Sequence, residues 1–206
     1  MLRVQSIADS FRSPDVVADA VEALRMLEAM GLLPDDEVIE RLDASTLRRM
    51  FAAAESGGMQ PSASVPLRGR WQTDVRQIGP ALAALRRALE DSPVPDAEWR
   101  SLGRLFGTDR LAELAGVSRI SVRRYAAGER PTPDDVAARL HFLAKVVGDL
   151  RGAYNDIGVR RWFDRARSAL GGRAPSALLR GRWDPDAKEP MQVRALARSL
   201  HGGNAT

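Results

Sequence analysis

A short stretch near the middle of the chain has the residue types and the spacing of a helix-turn-helix. Residues 110–128 read RLAELAGVSRISVRRYAAG. Ala112 is small enough for two helices to meet closely, and Gly116, four residues later, can adopt the positive φ of the turn between them. The spacing predicts helices over 109–115 and 119–127. The residues expected to face the core are Leu111, Ala115, Val117, Val122 and Tyr125.

The outward side of the second helix carries side chains of the types that dock on duplex DNA: Ser118, Arg119, Ser121, Arg123 and Arg124. Arg119, near the helix N-terminus, is expected to reach guanine O6 and N7 in the major groove. The two serines are expected to hydrogen-bond phosphate or base, and the other two arginines to serve backbone or base. The alternative is a helix-turn-helix that serves only as a packing element or has lost DNA.

The composition is that of a globular protein of one to two domains. The 206 residues are 44% hydrophobic and 28% charged, so the chain can bury a core. There is no cysteine, which excludes disulfides, thiolate nucleophiles and cysteine-ligated zinc. No apolar run approaches the ~20 residues of a membrane span, and the N-terminus does not resemble a signal peptide. We therefore expect a cytoplasmic protein, nucleoid-associated when bound to DNA, with no membrane partner.

Charge is distributed unevenly along the chain. Residues 1–60 hold 6 Arg and 11 Asp+Glu, whereas residues 61–206 hold 25 Lys+Arg and 16 Asp+Glu. Only Lys145 and Lys188 are lysines, so nearly all the positive charge is guanidinium, which pairs with phosphate and with guanine edges in a fork geometry. The basic part is where a polyanion partner is expected, although a GC-rich genome would also explain the excess of arginine.

Helix caps and prolines recur along the chain, and no stretch shows sustained period-two alternation, so the pattern predicts an all-α helical bundle. Helices are expected from Ser13-Pro14 to Gly31, from Pro34-Asp35-Asp36-Glu37, after Ser45, over 80–90, after Asp96, and from Thr132-Pro133. A loop is expected from Ser56 to Pro66. The main boundary is expected at Ser92-Pro93-Val94-Pro95. The predicted domains are an N-terminal helical domain (1–95), a helix-turn-helix region (96–155) and a C-terminal helical module (156–206).

Part of the sequence repeats after 112 residues. Positions 48–74 and 160–186 are identical at twelve of 27 places without a gap, including Leu-Arg-Gly-Arg-Trp at 67–71 and 179–183. With a one-residue slip, 84–89 also matches 195–200. We interpret the N-terminal half as a diverged internal repeat of the C-terminal module. A coincidence of arginine-rich helices is the alternative.

The order of motifs from about Thr108 to Leu200 resembles the Xre/MbcA/ParS antitoxin family. That family joins an Xre-type helix-turn-helix to a C-terminal toxin-binding helical module. The module's signature here reads Trp162-Phe163, Leu170-Gly171-Gly172-Arg173-Ala174-Pro175, Leu178-Leu179, and Val193 with Leu196 and Leu200. The N-terminal half has no equivalent in the common short members, and Arg180 to Pro185 replaces their simple glycine turn.

The resemblance implies an antitoxin of a type II toxin–antitoxin system. Its C-terminal module would block the cleft of a RES-domain toxin, which consumes NAD, and its helix-turn-helix would bind the operon's own promoter as a repressor. The toxin contact would then lie at or near Arg173, Trp183, Arg194 and Arg198. The implied partners are double-stranded DNA and the toxin, and binding to an inverted repeat would require a homodimer or higher oligomer.

Several of these residues have a plainer structural interpretation. Trp162-Phe163 and Trp183 are more typical of a core than of a contact surface. Arg180 and Arg182 flank a glycine and could clamp an anion, but the same Arg-Gly-Arg-Trp occurs at 68–71. Its presence in both copies favours a structural corner, with arginine stems over tryptophan.

The sequence offers little for catalysis, and we expect neither an enzyme, a cofactor nor a metal. Asp35-Asp36-Glu37 and Asp134-Asp135 lie at helix starts, where capping and the helix dipole explain them. His141 has no second histidine or cysteine spaced to join it as a ligand. Neither Gly57-Gly58 nor Gly171-Gly172 is followed by the lysine and threonine of a phosphate-binding loop. Besides the antitoxin, two hypotheses remain: a stand-alone regulator or nucleoid-associated protein, and a protein-interaction module with a relict helix-turn-helix.

Overall fold

The computed structural model describes residues 3–34, 38–59 and 75–202, and most of these residues are helical. They form nine α-helices, two short 3-10 helices and one two-stranded sheet. The chain divides into two compact units. The first takes the described residues up to Glu28 and from Leu32 to Ser92, and the second takes Ala29–Gly31 and the chain from Pro93 onward. The finer division into three domains stays a prediction.

The first unit contains three helices and the sheet: β1 (Arg3–Ile7), α1 (Pro14–Ala29), β2 (Val38–Leu42), α2 (Ala44–Ser56) and α3 (Val75–Asp91). Helix α1 begins at the predicted Ser13-Pro14 start. Asp43 caps α2 by accepting hydrogen bonds from the backbone N–H groups of Ser45 and Thr46, so that helix begins slightly before its predicted start. Arg86 of α3 forms ion pairs with Asp19 and Glu22 of α1.

The expectation of an all-α fold was wrong in one place. β1 and β2 pair in parallel, with Arg3 opposite Val38 and Ile7 opposite Leu42. The helix predicted from Pro34 is therefore replaced by a strand at Val38, while Asp35-Asp36-Glu37 lie outside the described residues. The two buried residues of β2, Ile39 and Leu42, are three positions apart, which imitates helical spacing over so short a run.

Two further boundaries differ from the sequence prediction. Helix α3 begins at Val75 rather than near Pro80, so the proline lies inside the helix and offers no N–H to the carbonyl of Arg76. The loop predicted over 56–66 begins at the Gly57 end of α2, and its residues from 60 onward lie outside the described part of the chain.

The second unit contains six helices: α4 (Pro95–Ala115), α5 (Arg119–Ala126), α6 (Asp134–Leu150), α7 (Asp156–Asp164), α8 (Pro175–Leu178) and α9 (Lys188–Gly202). Gly107, at φ 74° and ψ 162°, interrupts α4 with a kink and separates it into two parts, close to the two helices expected there. The N-cap positions of α4 and α6 are occupied by Val94 and Pro133. The helix starts predicted at Asp96 and Thr132 are therefore displaced by one or two residues.

The core of the second unit gathers around α6, which packs against α4 and α9. Leu140, Leu143 and Val147 of α6 are fully buried. Trp162 and Phe163 are 1% and 0% exposed, which confirms that this pair belongs to the core. Phe163 packs edge-to-face on Phe106 with ring centroids 5.0 Å apart.

Candidate nucleic-acid interface

Helix α5 is positioned by a tight turn in which Gly116, Val117 and Ser118 end α4 and begin α5. Gly116 adopts φ 69° and ψ 36°, a left-handed conformation that glycine takes without steric penalty. The N–H of Val117 then donates to the carbonyl of Ala112 at 3.0 Å, which closes the end of α4. Ser118 caps α5, because its Oγ accepts the N–H of Ser121 at 3.0 Å. The turn thus fixes where α5 begins.

The inner side of α5 holds it against the core. Val122 and Tyr125 are each 4% exposed, and Leu111 and Ala115 on the preceding helix are fully buried. The Tyr125 ring stacks on Trp99 with centroids 5.5 Å apart, while the Trp99 indole N–H donates to Thr132 Oγ1 at 2.9 Å. Four of the five predicted inward residues are therefore buried, and Val117 is half-buried.

The outer side of α5 is basic and exposed. At about 100° per residue, Arg119, Arg123, Ile120 and Arg124 follow one another around this side of the helix. All four are exposed. Ile120, 63% exposed, lies in the middle of this face and is a residue that the sequence reasoning missed. Its position between Arg119 and Ser121 was the signal that could have identified it.

The predicted DNA-binding residues differ in what they already contact. Arg119 Nε lies 2.9 Å from Asp109 Oδ1, in a pair whose side chains are 67% and 66% exposed. Ser118 and Ser121 share a hydrogen bond between their hydroxyls at 2.9 Å, so both belong to the cap. Arg123 and Arg124 form no ion pair with any residue that the structure describes. Exposed ion pairs contribute little to stability, so Arg119 can exchange Asp109 for another anion.

A loop from the C-terminal part of the chain lies against this turn. The N–H of Gly181 donates to the carbonyl of Glu113 at 3.3 Å, and the Trp183 indole N–H donates to the carbonyl of Leu114 at 2.8 Å. The Trp183 ring packs edge-to-face on Phe142 with centroids 5.2 Å apart. A Cβ on Gly116 would overlap the carbonyl oxygen of Gly181. The backbone of Gly181 therefore fills the space that a side chain at Gly116 would need, whereas a Cβ on Gly181 itself meets nothing within 4 Å.

An open groove of about 560 Å³ runs between this loop, the N-terminal turn of α5 and the start of α6. Arg139 forms its floor, where Nε donates to the carbonyl of Ala115 at 2.9 Å and Nη2 lies 2.9 Å from Asp135 Oδ2. The hydrogen bond from Arg139 is the main reason that the pKa of Asp135 is lowered. The other charged residues lining the groove are Glu113, Arg130, Arg180 and Arg182.

The four residues of the implied toxin contact differ in their exposure and in their partners. Arg173 is exposed. Trp183 is half-buried and serves the loop contact described above. Arg194 is 9% exposed and reaches Asp149 on α6 at 3.5 Å, while Arg198, with its side chain 47% exposed, reaches the same carboxylate at 3.6 Å. Two of the four residues therefore hold α9 on α6.

A buried acid–base pair lies in the core of the same unit. His141 Nδ1 is 2.7 Å from Glu98 Oε1, and the Glu98 side chain is fully buried. Burial raises the pKa of the Glu98 carboxyl, against the opposing effects of the hydrogen bond and charge of His141. The pair links α4 to α6 and does not line the groove. Within the described residues there is no group of three or more His, Cys, Asp or Glu side chains arranged to hold a metal ion.

None of the described helices has the length and apolar character needed to cross a membrane. Comparisons with protein-family models, with curated proteins and with solved structures find no match for this chain.

Proposed function

We propose that this protein is a transcription regulator that binds duplex DNA through the outer face of α5. The observation that carries the proposal is the exposed basic face formed by Arg119, Arg123 and Arg124 on a helix held from behind by Val122 and Tyr125. A short helix that projects from a glycine turn and presents its N-terminal residues outward is typical of the recognition helix of a helix-turn-helix.

The side chains of this face suit different parts of the duplex. Arg119, in the first turn of α5, is suited to the bidentate contact with guanine. Ile120 beside it is suited to the methyl group of thymine. Arg123 and Arg124 lie in the last turn and are suited to phosphates on either side of the groove. Ser118 and Ser121 act mainly by holding the helix start in place.

We further propose that the protein is the antitoxin of a type II system whose toxin is of the RES-domain type and consumes NAD. The support is the resemblance of residues 108–200 to the Xre/MbcA/ParS family. Trp183 is half-buried and Arg194 is buried, so the toxin contact is assigned to the two exposed residues, Arg173 and Arg198, although Arg198 also reaches Asp149. A stand-alone regulator without a toxin is the other candidate.

We propose the internal repeat because helices α2 and α7 begin at equivalent positions when the sequence is shifted by 112 residues. That shift places Ala44, the first residue of α2, on Asp156, the first residue of α7. The residues before them, Asp43 and Asn155, are both N-caps whose side chains accept backbone N–H groups.

Buried positions also coincide in these two helices. The residues that the shift aligns and that are buried in both helices are Leu47 with Val159, Met50 with Trp162, and Phe51 with Phe163. A duplicated module retains its caps and its core positions while its surface diverges, and this is the pattern of α2 and α7.

DNA binding is tested by fluorescence anisotropy with two labelled duplexes, the region upstream of the gene and a shuffled sequence of equal length. The wild type is expected to bind with an affinity that falls steeply as salt increases, because each neutralised phosphate releases counterions. The double variant Arg123→Gln/Arg124→Gln is expected to lower the slope of log affinity against log salt by about 2.

The matched control is Arg161→Gln/Arg165→Gln, which removes two exposed arginines from the end of α7. We expect it to bind like the wild type. A wild type whose affinity does not respond to salt, or a control that loses as much affinity as the α5 variant, would contradict the proposal.

The antitoxin proposal is tested by purifying the tagged protein from its native host at low and high salt, with and without nuclease. One stoichiometric protein that survives both treatments, and that Arg173→Glu releases, is the expected result. Retention of DNA alone, lost at high salt, would identify a stand-alone regulator and reject the toxin partner.

A further inference from the structure

We propose that the groove beside α5 holds a backbone phosphate of the same DNA duplex, through Arg180 and Arg182 of the C-terminal loop. This inference rests on the proposed function and extends it, because it assigns DNA contacts to residues about sixty positions beyond the recognition helix. The groove is lined by both arginines and by Ser118 and Ser121 of the α5 start. The loop and the helix therefore present their polar groups to one open space.

Arg180 and Arg182 are available to bind an anion because the carboxylates that line the groove are paired with other arginines. Four guanidinium groups and two carboxylates line it. Arg139 is committed to Asp135 and to the carbonyl of Ala115, and Glu113 is paired with Arg110 at 3.2 Å. Arg180 and Arg182 are exposed and form no ion pair with any described residue. Arg182 adds to the positive potential at Asp135, which contributes to the lowered pKa of that carboxyl.

The loop is held firmly enough to place a phosphate site. Gly181, between the two arginines, adopts φ 75° and donates its N–H to the carbonyl of Glu113. Trp183 follows and is fixed by its hydrogen bond to the carbonyl of Leu114 and by its packing on Phe142. Rigid placement reduces the side-chain and loop entropy that a contact would otherwise lose on binding.

The lining favours the phosphate of a polymer over a free nucleotide, which shares the same phosphate chemistry. A nucleotide base needs an aromatic face or polar groups that read its edge. The Tyr125 ring is stacked on Trp99, and Arg130 lies over it at 6.0 Å from the centroid. The groove carboxylates are both paired with arginine. Phosphate is the part of the ligand that the remaining groups recognise, and Arg124, next to Ser121 around α5, is suited to a neighbouring phosphate of the same strand.

The test is the salt dependence of DNA binding by Arg180→Gln/Arg182→Gln, with the same two duplexes and with Arg161→Gln/Arg165→Gln as the control. We expect affinity to fall roughly tenfold on both duplexes alike and the salt slope to fall by about 2, because phosphate contacts carry no sequence information. Circular dichroism and thermal unfolding verify that the variant folds, and Arg180→Lys/Arg182→Lys is expected to restore part of the slope.

The outcomes separate this inference from the proposed function. If the wild type does not bind DNA, the proposed function fails. If the wild type binds and Arg123→Gln/Arg124→Gln weakens it, but Arg180→Gln/Arg182→Gln keeps the full slope, the groove assignment alone is wrong. Saturable binding of ATP that the loop variant abolishes and the α5 variant retains would also overturn it and assign the groove to a nucleotide.

Discussion

The arginines of the second unit form two groups that differ in burial and in their partners. Arg139 and Arg194 are almost fully buried and bind carboxylates within the unit. Arg123 and Arg124 are exposed and form no ion pair with the described part of the chain. Arginine content alone does not locate an interface, whereas the grouping of exposed arginines on one face of a short helix favours one.

Ile120 is expected to contribute to sequence discrimination without contributing to stability. An exposed isoleucine that meets a thymine methyl group loses that contact when shortened, so Ile120→Ala should lower affinity for the operator several-fold and leave affinity for shuffled DNA unchanged. Ile157→Ala, on α7 with 53% exposure, is the control. Anisotropy measures both affinities, and equal losses on both duplexes would contradict this role.

Glu98 is expected to make stability depend on pH. The pKa of its carboxyl is raised from 4.5 in the folded state, so the folded chain holds this proton more tightly than the unfolded chain does. The contribution is therefore complete below about pH 4.5 and is lost as the pH rises through the folded-state pKa. Glu98→Gln cannot ionise and should lack this loss.

The measurement is urea unfolding of the wild type and Glu98→Gln across the acid to neutral range. We expect the wild type to lose free energy of unfolding relative to the variant as the pH increases from 4.5. Two pH profiles that run parallel would show that His141 compensates the buried charge completely.

At the scale of elements, the sequence predicts what depends on local signals and misses what depends on distant contacts. The start of α1 and the capped start of α5 follow from serine caps, a proline and a glycine turn close in sequence. The strand β2 was missed because its stability comes from pairing with β1, about 35 residues away, and because Ile39 and Leu42 imitate helical spacing.

In the candidate site, too, the features that depend on local sequence could be predicted and those that depend on distant contacts could not. The exposed face of α5 could be read from its period. The groove could not, because the loop at 180–182 reaches α5 only through the hydrogen bonds of Gly181 and Trp183 to the end of α4. The resemblance placed Trp183 at a partner surface, whereas its half-buried ring fastens this loop. The Arg-Gly-Arg-Trp pattern favoured a structural corner but did not indicate that Trp183 would contact Leu114 and Phe142.

Replacing Gly116 by alanine should lower the free energy of unfolding more than replacing another glycine of the same backbone conformation. Gly116 and Gly128 have φ values of 69° and 70°, so alanine at either position carries the left-handed penalty of about 1–2 kcal/mol. A Cβ at Gly116 also meets the backbone of Gly181, whereas a Cβ at Gly128 meets nothing within 4 Å. Gly116→Ala is therefore expected to be the more destabilising variant by about 1–3 kcal/mol.

Urea unfolding of Gly116→Ala and Gly128→Ala measures the difference. Anisotropy on the same samples should show that Gly116→Ala also weakens DNA binding, since the loop must move away from α5. Equal free energies of unfolding for the two variants would mean that the loop yields without cost.

At the scale of the whole molecule, the two units differ at the position of α5. The 112-residue shift aligns α5 with residues 7–14, where the first unit has the end of β1, a 3-10 helix over Asp9–Phe11 and the first residue of α1. The acidic excess of residues 1–60 points the same way. The first unit thus has no counterpart of α5 at the aligned position, so the proposed binding to an inverted repeat would require a second copy of the chain.

We expect the protein to bind an inverted repeat as a dimer, with the two half-sites about one turn of duplex, roughly 34 Å, apart. Light scattering after gel filtration gives the stoichiometry of the complex. Inserting about half a turn between the half-sites should abolish tight binding, and inserting a full turn should weaken it less, because only the full turn returns both half-sites to one side of the duplex. A monomer that binds one half-site as tightly as the inverted repeat would contradict this expectation.

The meeting of Gly116 and Gly181 also limits how such a protein can be recombined. The turn before α5 and the loop after α8 are complementary backbones that must be inherited together. A chimera that takes residues 108–128 from another protein, with any side chain in place of Gly116, would displace Arg180 and Arg182 even if every residue proposed to read DNA were preserved. Exchange of the proposed DNA-reading residues therefore requires substitutions confined to the outer face of α5.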